Sequence, residues 1–323
     1  MSIDKHARRQ PSRPALIEAE TGEAMTFAEL NDASIKAADL LRARLSPGDR
    51  VAILLDNGAS YFVACWACRR SGLRFVPINW HLSYDEMAYI VENSDARAVI
   101  ATPRLRERAE RLAANLTGLE LLYSDAEAFG PYASLETAMA GVAAAPRAFE
   151  PAGVAMCYSS GTTGQPKGIL RELSGQSFSE EPLPTEALMQ GHFEFDASAI
   201  YHHPAPLYHA APLLWSMGAQ GIGATVIVSA RFDAEATLKA IERYKVTHAQ
   251  FVPTHFVRML QLPAEVREAY DHGSLRMAVH AAAPCPVEVK TRMIAWWGPI
   301  LKEFYSASEG CGVTVVNSEE WLA

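Results

Sequence analysis

The chain has few cysteines, and they show no arrangement typical of a disulfide framework. Its 323 residues include five cysteines, an odd number scattered between Cys65 and Cys311. Cys65 and Cys68 form a Cys-x-x-Cys pair, but the pair lies in an apolar stretch typical of a helix, with no second pair or histidine partner nearby. We therefore predict that both thiols pack in a core and take no part in zinc binding or redox chemistry.

Long hydrophobic runs and an excess of basic residues are also missing. No apolar run approaches the length that spans a bilayer, and the first nine residues lack the apolar segment of a secretory signal. The chain has 29 Lys and Arg against 37 Asp and Glu, a formal net charge of −8, which argues against a general binder of nucleic acid or of anionic membranes. We expect a cytoplasmic globular protein with no nucleic-acid partner and no transmembrane segment.

The most informative run is 158–168, Tyr-Ser-Ser-Gly-Thr-Thr-Gly-Gln-Pro-Lys-Gly, which follows an apolar stretch predicted to end a strand. It is not a Walker A motif, because the second glycine of that motif would fall at Pro166. Its glycines allow the backbone to approach a ligand, and successive backbone N–H groups in such a loop bind anions. The hydroxyls add donors, and Lys167 adds a compact positive charge. An ordinary surface turn does not need this combination, so the run indicates a polyphosphate site.

Short apolar runs alternate with helical patterns along the rest of the chain. Strands are predicted at 51–55, 75–78, 98–101, 119–122, 225–228, 246–252, 277–280 and 300–305. Helices are predicted at 59–71, 84–92, 105–116, 234–244 and 255–262. This alternation predicts an α/β fold with doubly wound, mostly parallel sheets, in which ligands bind at the carboxyl ends of strands. Residues 171–200 interrupt the pattern, and we expect them to form an exposed excursion.

Three further segments contain candidate binding or catalytic residues. Segment 305–310, Tyr-Ser-Ala-Ser-Glu-Gly, places an aromatic ring, a hydroxyl and a carboxylate at a predicted strand end, and a carboxylate is a suitable ligand for Mg²⁺. Segment 281–286 is a small-residue turn with two prolines, and 205–212 holds His209 beside Tyr208. Taken alone, each segment is also compatible with an ordinary turn or a structural histidine.

Together these segments resemble the signatures of the adenylate-forming, or AMP-binding, superfamily, which contains acyl-CoA synthetases, firefly-type luciferases and the adenylation domains of peptide synthetases. The 158–168 run meets every position of the superfamily's phosphate-loop pattern. Segment 305–309 resembles its Tyr-Gly-x-Thr-Glu pattern, with Ser306 replacing Gly and Ser308 replacing Thr. Segment 281–284 resembles Gly-Gly-Ala-Pro, and 206–209 resembles Pro-Leu-Phe-His. The resemblance covers nearly the whole chain, from about residue 11 to 309.

The resemblance implies a role for each matching residue. It assigns the ATP phosphates to Ser159, Ser160, Gly161, Thr162, Thr163, Gly164 and Lys167. It assigns adenine to the backbone of Ala282, Ala283 and Pro284 and to stacking on Tyr305, and the α-phosphate to Ser308. It assigns Mg²⁺ to Thr162 and Glu309. The catalytic residues that it implies are Thr162, Lys167, Glu309 and His209, of which His209 lies beside the acyl carboxylate and the thiol tunnel.

The activity that the resemblance implies is ATP-dependent acid–thiol ligation by an acyl-CoA synthetase. A carboxylate attacks the ATP α-phosphate, pyrophosphate leaves, and the acyl group of the adenylate then passes to the thiol of CoA. A fatty or other hydrophobic acid is expected. Transfer to a carrier-protein thiol, and a non-catalytic fragment that binds nucleotide or acyl groups, stay open as alternatives, and homodimers are common in the superfamily.

One motif is typical of a different substrate class. Segment 195–198 spells the Phe-Asp-x-Ser motif of amino-acid-activating adenylation domains. Segment 208–211 lies in the place where that motif belongs, with His209 in the position of the aspartate, and a neutral or cationic histidine has no reason to bind an ammonium group. We therefore interpret the 195–198 match as chance.

By the same resemblance, residues 1–323 form an N-terminal adenylation domain with subdomains of about 1–170 and 171–323 and a small β-barrel-like subdomain. The superfamily's Tyr-x-Thr-Gly-Asp motif, hinge and C-terminal lid domain do not occur before Ala323. The lid supplies a lysine that offsets charge when two anions react. We therefore expect a truncated chain that binds ATP and the acid but turns over poorly.

Overall fold

A computed structural model describes residues 2–159, 165–307 and 312–323. The chain divides into two compact units that interleave along the sequence. Unit 1 comprises Met1–Ser12, Thr26–Pro182 and Leu207–Ala210. Unit 2 comprises Arg13–Met25, Leu183–Pro206 and Ala211–Ala323.

Strands and helices alternate through most of the described residues. The strands are β1 (Pro14–Glu18), β2 (Ala24–Thr26), β3 (Arg50–Leu54), β4 (Arg74–Pro77), β5 (Ala96–Ala101), β6 (Leu121–Ser124), β7 (Ala133–Ser134), β8 (Val154–Ala155), β9 (Tyr158–Ser159), β10 (Lys167–Gly168), β11 (Ile200–His203), β12 (Thr225–Val228), β13 (His248–Phe251), β14 (Met277–His280), β15 (Leu301–Ser306) and β16 (Val313–Asn317). The helices are α1 (Ile3–Arg9), α2 (Phe27–Arg42), α3 (Ala59–Arg69), α4 (Tyr84–Asn93), α5 (Arg106–Asn115), α6 (Leu135–Ala140), α7 (Pro184–His192), α8 (Ala210–Ile222), α9 (Ala234–Tyr244), α10 (Pro253–Leu260), α11 (Ala264–Glu268), α12 (Val287–Trp297) and α13 (Ser318–Leu322). A 3-10 turn covers Pro103–Leu105.

Unit 1 is built on a six-stranded sheet in the order β7-β6-β5-β3-β4-β8. Every neighbouring pair in this sheet is parallel. The central strand β3 is apolar from Val51 to Leu54, and these residues have no exposed surface because helices cover both faces of the sheet. Side chains of α4 and α5 pack on one face, and α3 contacts β3 and β4.

Helix α3 of unit 1 contains the Cys-x-x-Cys pair. Both Cys65 and Cys68 are 0% exposed, and burial raises the pKa of each thiol. A buried thiol in apolar surroundings is inert toward metals and oxidants, since the thiolate is the reactive form. The prediction that these residues pack in a core is confirmed.

Unit 2 is built on an eight-stranded sheet in the order β16-β15-β14-β13-β11-β12-β1-β2. Neighbours from β1 to β15 pair in parallel, and the edge strand β16 runs antiparallel to β15. Helices α9, α10 and α12 pack on this sheet around Phe251, Phe256 and Trp297.

The predicted α/β fold with parallel sheets is confirmed, and β12, β14 and α9 begin and end where the sequence pattern placed them. The expectation that 171–200 form an exposed excursion is wrong in part, because residues 184–192 form helix α7, and Phe178, Met189 and Phe193 in this stretch are buried. A buried Glu186 side chain accepts a hydrogen bond from the backbone N–H of Leu183 and so starts that helix. The described strands fall into the two sheets above and the β9–β10 pair, and a separate small barrel is not among them. In the described ranges, no helix is both long enough and apolar enough to cross a membrane.

Four of the buried histidines in unit 2 should make it unstable in acid. Burial lowers the pKa of His202, His248, His255 and His280 to about 4 each, against an ordinary value of 6.5. Between these values the unfolded chain binds more protons than the folded chain, so stability is complete above pH 6.5 and falls as the pH drops toward 4. We expect the free energy of unfolding to drop by roughly 1–3 kcal/mol per histidine over this interval.

Urea unfolding at pH 7.5 and at pH 5 measures this loss. His202→Gln should reduce the difference between the two pH values, because Gln does not titrate. The exposed His192 provides the control, and His192→Gln should leave the difference unchanged. Equal unfolding midpoints at both pH values for the parent chain would contradict the prediction.

Candidate functional site

The two strands that flank the candidate phosphate loop follow the carboxyl end of β8 in the parallel sheet of unit 1. Strand β8 pairs with β4 through Val154 and Ala155, and the chain then enters an antiparallel pair of β9 and β10. In that pair Ser159 is opposite Lys167, so the loop that joins them runs over 160–166. The candidate residues Ser160, Gly161, Thr162, Thr163 and Gly164 lie outside the described residues.

Gly153 allows strand β8, which leads into this loop, to pack closely against the neighbouring backbone. At Gly153, a Cβ atom would lie 2.2 Å from the carbonyl oxygen of Leu73 and 2.5 Å from that of Cys68. The Gly153 N–H also donates to the carbonyl oxygen of Arg69 at 2.6 Å. Any side chain at residue 153 would therefore push β8 away from β4 and displace the hairpin that follows.

The base of the hairpin is fixed by Tyr158. Its hydroxyl donates to Asn93 Oδ1 at 2.7 Å, and burial raises the pKa of the phenol to about 12. Opposite Tyr158, a Cβ atom on Gly168 would lie 2.8 Å from the Tyr158 ring and 2.8 Å from Met156. Gly168 thus leaves room for the aromatic ring beneath the loop.

Lys167 and Ser159 are the candidate phosphate ligands that the structure describes. Ser159 is half-buried on β9, and Lys167 is exposed on β10. Among the described residues, no carboxylate forms an ion pair with Lys167. Its ammonium group is therefore available to an anion.

His209 of unit 1 lies in an aromatic cluster. Its ring is 4.6 Å from that of Tyr208, which makes edge contacts with Trp80 at 5.9 Å and His81 at 6.3 Å. The Leu207 N–H donates to Asn57 Oδ1 at 2.8 Å and so ties this segment to the loop after β3. Partial removal of the His209 ring from water, together with nearby His81, lowers the pKa of His209 below its ordinary value of 6.5. The ring is therefore neutral at pH 7.

Tyr61 of α3 is fully buried within unit 1. Burial, with smaller electrostatic effects of Cys65, Cys157 and Tyr208, raises the pKa of its phenol. Sequence reasoning missed Tyr61, Trp80, His81 and Asn57. The signal that marks Asn57, Trp80 and His81 is their position just after the carboxyl ends of β3 and β4.

In unit 2, the two candidate adenine-binding segments lie at the ends of neighbouring strands. Ala281–Pro284 follows β14, and Tyr305 lies near the end of β15, which pairs in parallel with β14. Tyr305 is 77% exposed, whereas Phe304 stacks on Trp215 at 5.3 Å on the other side of the strand. Ser308 and Glu309 lie outside the described residues.

The Ala281–Pro284 segment has a strained backbone. Ala282 has φ +75°, in the left-handed region that favours glycine, and both Ala282 and Ala283 are exposed. The related Gly-Gly-Ala-Pro pattern has glycine at this position, which suits the conformation. Replacement of glycine by alanine stores strain of about 1 kcal/mol or more in this turn.

The Asp196 carboxylate forms hydrogen bonds within its own turn. Its Oδ1 accepts hydrogen bonds from the Ser198 N–H at 2.7 Å and the Ser198 hydroxyl at 2.6 Å, which form a turn just before β11. These bonds lower the pKa of the Asp196 carboxyl group. This local role supports the interpretation of the 195–198 motif as chance.

Comparison with known proteins identifies the family. A family model described as AMP-binding enzyme matches residues 3–322, and the chain therefore belongs to this family. Feruloyl-CoA synthase from Amycolatopsis sp is 32% identical over 292 residues, which cover 90% of this chain and 55% of the relative. The fatty acid–acyl-carrier-protein ligase ScoC from Streptomyces coeruleorubidus is 29% identical over 283 residues, which cover 86% of this chain and 52% of the relative. The chain thus spans about half the length of these curated relatives.

A solved structure agrees with this assignment. The inhibitor-bound crystal structure of the N-terminal domain of FACL13 from Mycobacterium tuberculosis matches with a TM-score of 0.82 and 25% identity. The match covers 99% of this chain and 78% of that one. The resemblance inferred from the motifs is confirmed at the level of family and fold.

The strained turn in unit 2 generates a stability prediction. Ala282→Val should lower the free energy of unfolding by about 1–3 kcal/mol, because a β-branched residue at positive φ adds strain. Ala283→Val, at the adjacent exposed position with ordinary φ, should change it by less than about 0.5 kcal/mol. Urea unfolding of the three chains measures both effects, and equal losses for the two variants would show that the turn is not strained at residue 282.

Proposed function

We propose that this chain is the nucleotide- and acid-binding part of an acid–thiol ligase. In this proposal, the carboxylate of a hydrophobic acid attacks the α-phosphate of ATP, and the bond to pyrophosphate breaks. The acyl carbon of the adenylate is then attacked by the thiol of CoA, and AMP leaves. The observation that carries the proposal is the 158–168 run, which follows the parallel strand β8 on its carboxyl side and has the exposed Lys167 next to its last residue.

The phosphate role of Lys167 rests on electrostatics. Two anions meet when a carboxylate attacks a phosphate, so positive charge must be fixed near the reacting atoms. Lys167 is exposed on β10, and among the described residues its ammonium group has no ion pair with a carboxylate. We assign to it the stabilisation of the phosphate charge, and to Ser159, Ser160, Gly161, Thr162, Thr163 and Gly164 the binding of the phosphate oxygens.

The proposed Mg²⁺ ligands are Thr162 and Glu309. A hydroxyl and a carboxylate are both oxygen donors, which Mg²⁺ prefers, so the residue types fit the ion. When bound, the ion would neutralise charge on the phosphates of ATP. Both residues lie outside the described ranges, and the proposal for them rests on the motif alone.

Unit 2 supplies the proposed adenine site. The exposed ring of Tyr305 offers a face for stacking, and the backbone of Ala282, Ala283 and Pro284 follows the adjacent strand. Ser308 is the proposed hydroxyl contact to the α-phosphate. These roles are carried over from the motifs, and the neighbouring positions of the two segments support them.

His209 is the proposed contact to the acid and the entering thiol. Because its pKa is lowered, the ring is neutral at pH 7 and offers one N–H donor and one acceptor to the reacting groups. The surrounding rings of Trp80, His81 and Tyr208 make this part of unit 1 suitable for an apolar acid. The names of the relatives, a feruloyl-CoA synthase and a fatty acid ligase, favour acids with large apolar bodies.

A carrier-protein thiol is the second candidate acceptor. The fatty acid–acyl-carrier-protein ligase ScoC matches this chain nearly as well as the feruloyl-CoA synthase does. Nothing in the phosphate loop distinguishes the two acceptors, because both reactions share the adenylation step. The acceptor therefore has to be identified by the thiol that the enzyme uses.

The role of Lys167 predicts a specific loss. Lys167→Met should slow acid-dependent exchange of label between pyrophosphate and ATP by roughly 10²-fold, because the fixed positive charge is lost. Its free energy of unfolding should change little, since the side chain is exposed. Lys239→Met, at an exposed position of α9, makes the same change of charge and should exchange at the parent rate. Equal rates for the two variants would remove Lys167 from the proposed site.

The acceptor and the acid can be identified in one assay. We expect pyrophosphate release from ATP to require a hydrophobic acid, and thioester formation to require CoA. Long-chain fatty acids and an aryl acid such as ferulate should be compared, each with CoA and with a phosphopantetheinylated carrier protein. Thioester formed only on the carrier protein would favour the second candidate. ATP binding without pyrophosphate release for any acid would indicate a binding fragment.

A further inference from the structure

An ion pair between a fully buried lysine and a partly buried glutamate lies on elements next to the two proposed adenine-binding segments of unit 2. Lys290 of α12 is 0% exposed, and its Nζ donates to Glu303 Oε2 of β15 at 2.6 Å. The partly buried Glu303 is two residues before Tyr305 on the same strand. A fully buried lysine is rare in proteins unless it is paired, and a bond this short between charged groups has a strict geometry.

The same carboxylate faces the strand that leads into the other segment. His280 is the last residue of β14, and it is in register with Glu303 on β15. The His280 Nε2 lies 3.7 Å from Glu303 Oε2, and neither ring nitrogen of His280 has a hydrogen-bond partner among the described residues. The next residue along the chain, Ala281, begins the proposed adenine loop. One carboxylate thus lies beside both strand ends.

Helix α13 also contacts the lysine of this pair. The Lys290 ammonium group lies 4.7 Å from the centroid of the Trp321 ring of α13. Helix α13 is attached to β15 by Ser318, whose hydroxyl donates to the Leu301 carbonyl at 2.9 Å and accepts from the Leu301 N–H at 3.1 Å. The lysine is therefore held by a carboxylate from the sheet and an aromatic face from α13.

We propose that Lys290 and Glu303 are positioning residues, which fix the ends of β14 and β15 so that Ala281–Pro284 and Tyr305 hold the adenine ring between them. Neither residue touches the nucleotide in this proposal. The pair acts through the backbone. The short hydrogen bond from Lys290 to Glu303 joins α12 to β15, and Glu303 is two residues before Tyr305 and in register with His280. This inference rests on the proposed function, since it assumes that the two segments bind adenine.

The test replaces both charges at once. Removal of one member leaves an uncompensated buried charge and is strongly destabilising, whereas apolar replacement of both is often neutral. The double variant Lys290→Met/Glu303→Met should therefore fold with a urea midpoint close to that of the parent. Lys302→Met is the matched control, because Lys302 is on the same strand, next to Glu303, and pairs with the exposed Glu194 at 3.1 Å.

Two measurements separate positioning from stability. Hydrogen–deuterium exchange without nucleotide should become faster in peptides that cover 277–286 and 301–307 in the double variant, and should stay at the parent rate in the control. The Kd for Mg-ATP should rise about 10-fold or more in the double variant, since small misplacements of binding groups have large effects. It should change less than about 2-fold in the control, which breaks the ion pair with the exposed Glu194 and the hydrogen bond to the His192 carbonyl at 2.9 Å but leaves the Lys290–Glu303 pair intact.

The outcomes are distinct. Unchanged exchange in the double variant, or faster exchange with unchanged ATP affinity, would overturn the positioning role. If the double variant does not fold, Glu303→Gln, which retains an oxygen for the Lys290 hydrogen bond but removes the compensating charge, should shift both measurements in the same direction, and no shift would again overturn the proposal. If the parent chain binds no ATP, the proposed function fails, and the exchange data still show whether the pair orders the two segments.

Discussion

The close packing of Gly153 against the backbone of Leu73 and Cys68 is the constraint on which the candidate phosphate site depends. Strand β8 reaches its place in the sheet only because residue 153 has no side chain, with the Leu73 and Cys68 carbonyl oxygens within 2.5 Å of the space that a Cβ would occupy. From there β8 pairs with β4, and the hairpin of β9 and β10 leaves from the carboxyl edge of the sheet. The position of Lys167 follows from this backbone packing and from its pairing with Ser159 in the hairpin.

Lys290 and Lys167 differ in burial, and the difference separates a charge that is paired within the protein from a charge that is available to a ligand. Lys290 is fully buried, and its charge is matched at once by Glu303 and by the face of Trp321. Lys167 is exposed and has no ion pair among the described residues, so its charge is available to a ligand. A buried charge must be paired to be tolerated, whereas an exposed one is stabilised by water that a phosphate can replace. The same residue type thus orders one unit and is proposed to bind substrate in the other.

Much of the fold was predictable because its strands are short apolar runs bounded by turn formers, as in β3, β12 and β14. Helix α7 was missed because its sequence lies in a stretch rich in Glu, Gly and Pro, and its start depends on the tertiary burial of Glu186. In the candidate site, the motifs located Lys167, His209 and Tyr305. They did not reveal Gly153, the ring cluster at Trp80, or the pair of Lys290 and Glu303, since each depends on contacts between residues distant in sequence.

We propose above all that the backbone and lysine of the 158–168 run bind the triphosphate of ATP. Hydrogen–deuterium exchange of the chain with and without Mg-ATP, followed in peptides that cover 157–170, tests this binding. ATP is expected to slow exchange in these peptides, because backbone N–H groups that bind phosphate oxygens no longer exchange freely with water. Unchanged exchange there, with slower exchange elsewhere in the chain, would show that the nucleotide binds at a different site.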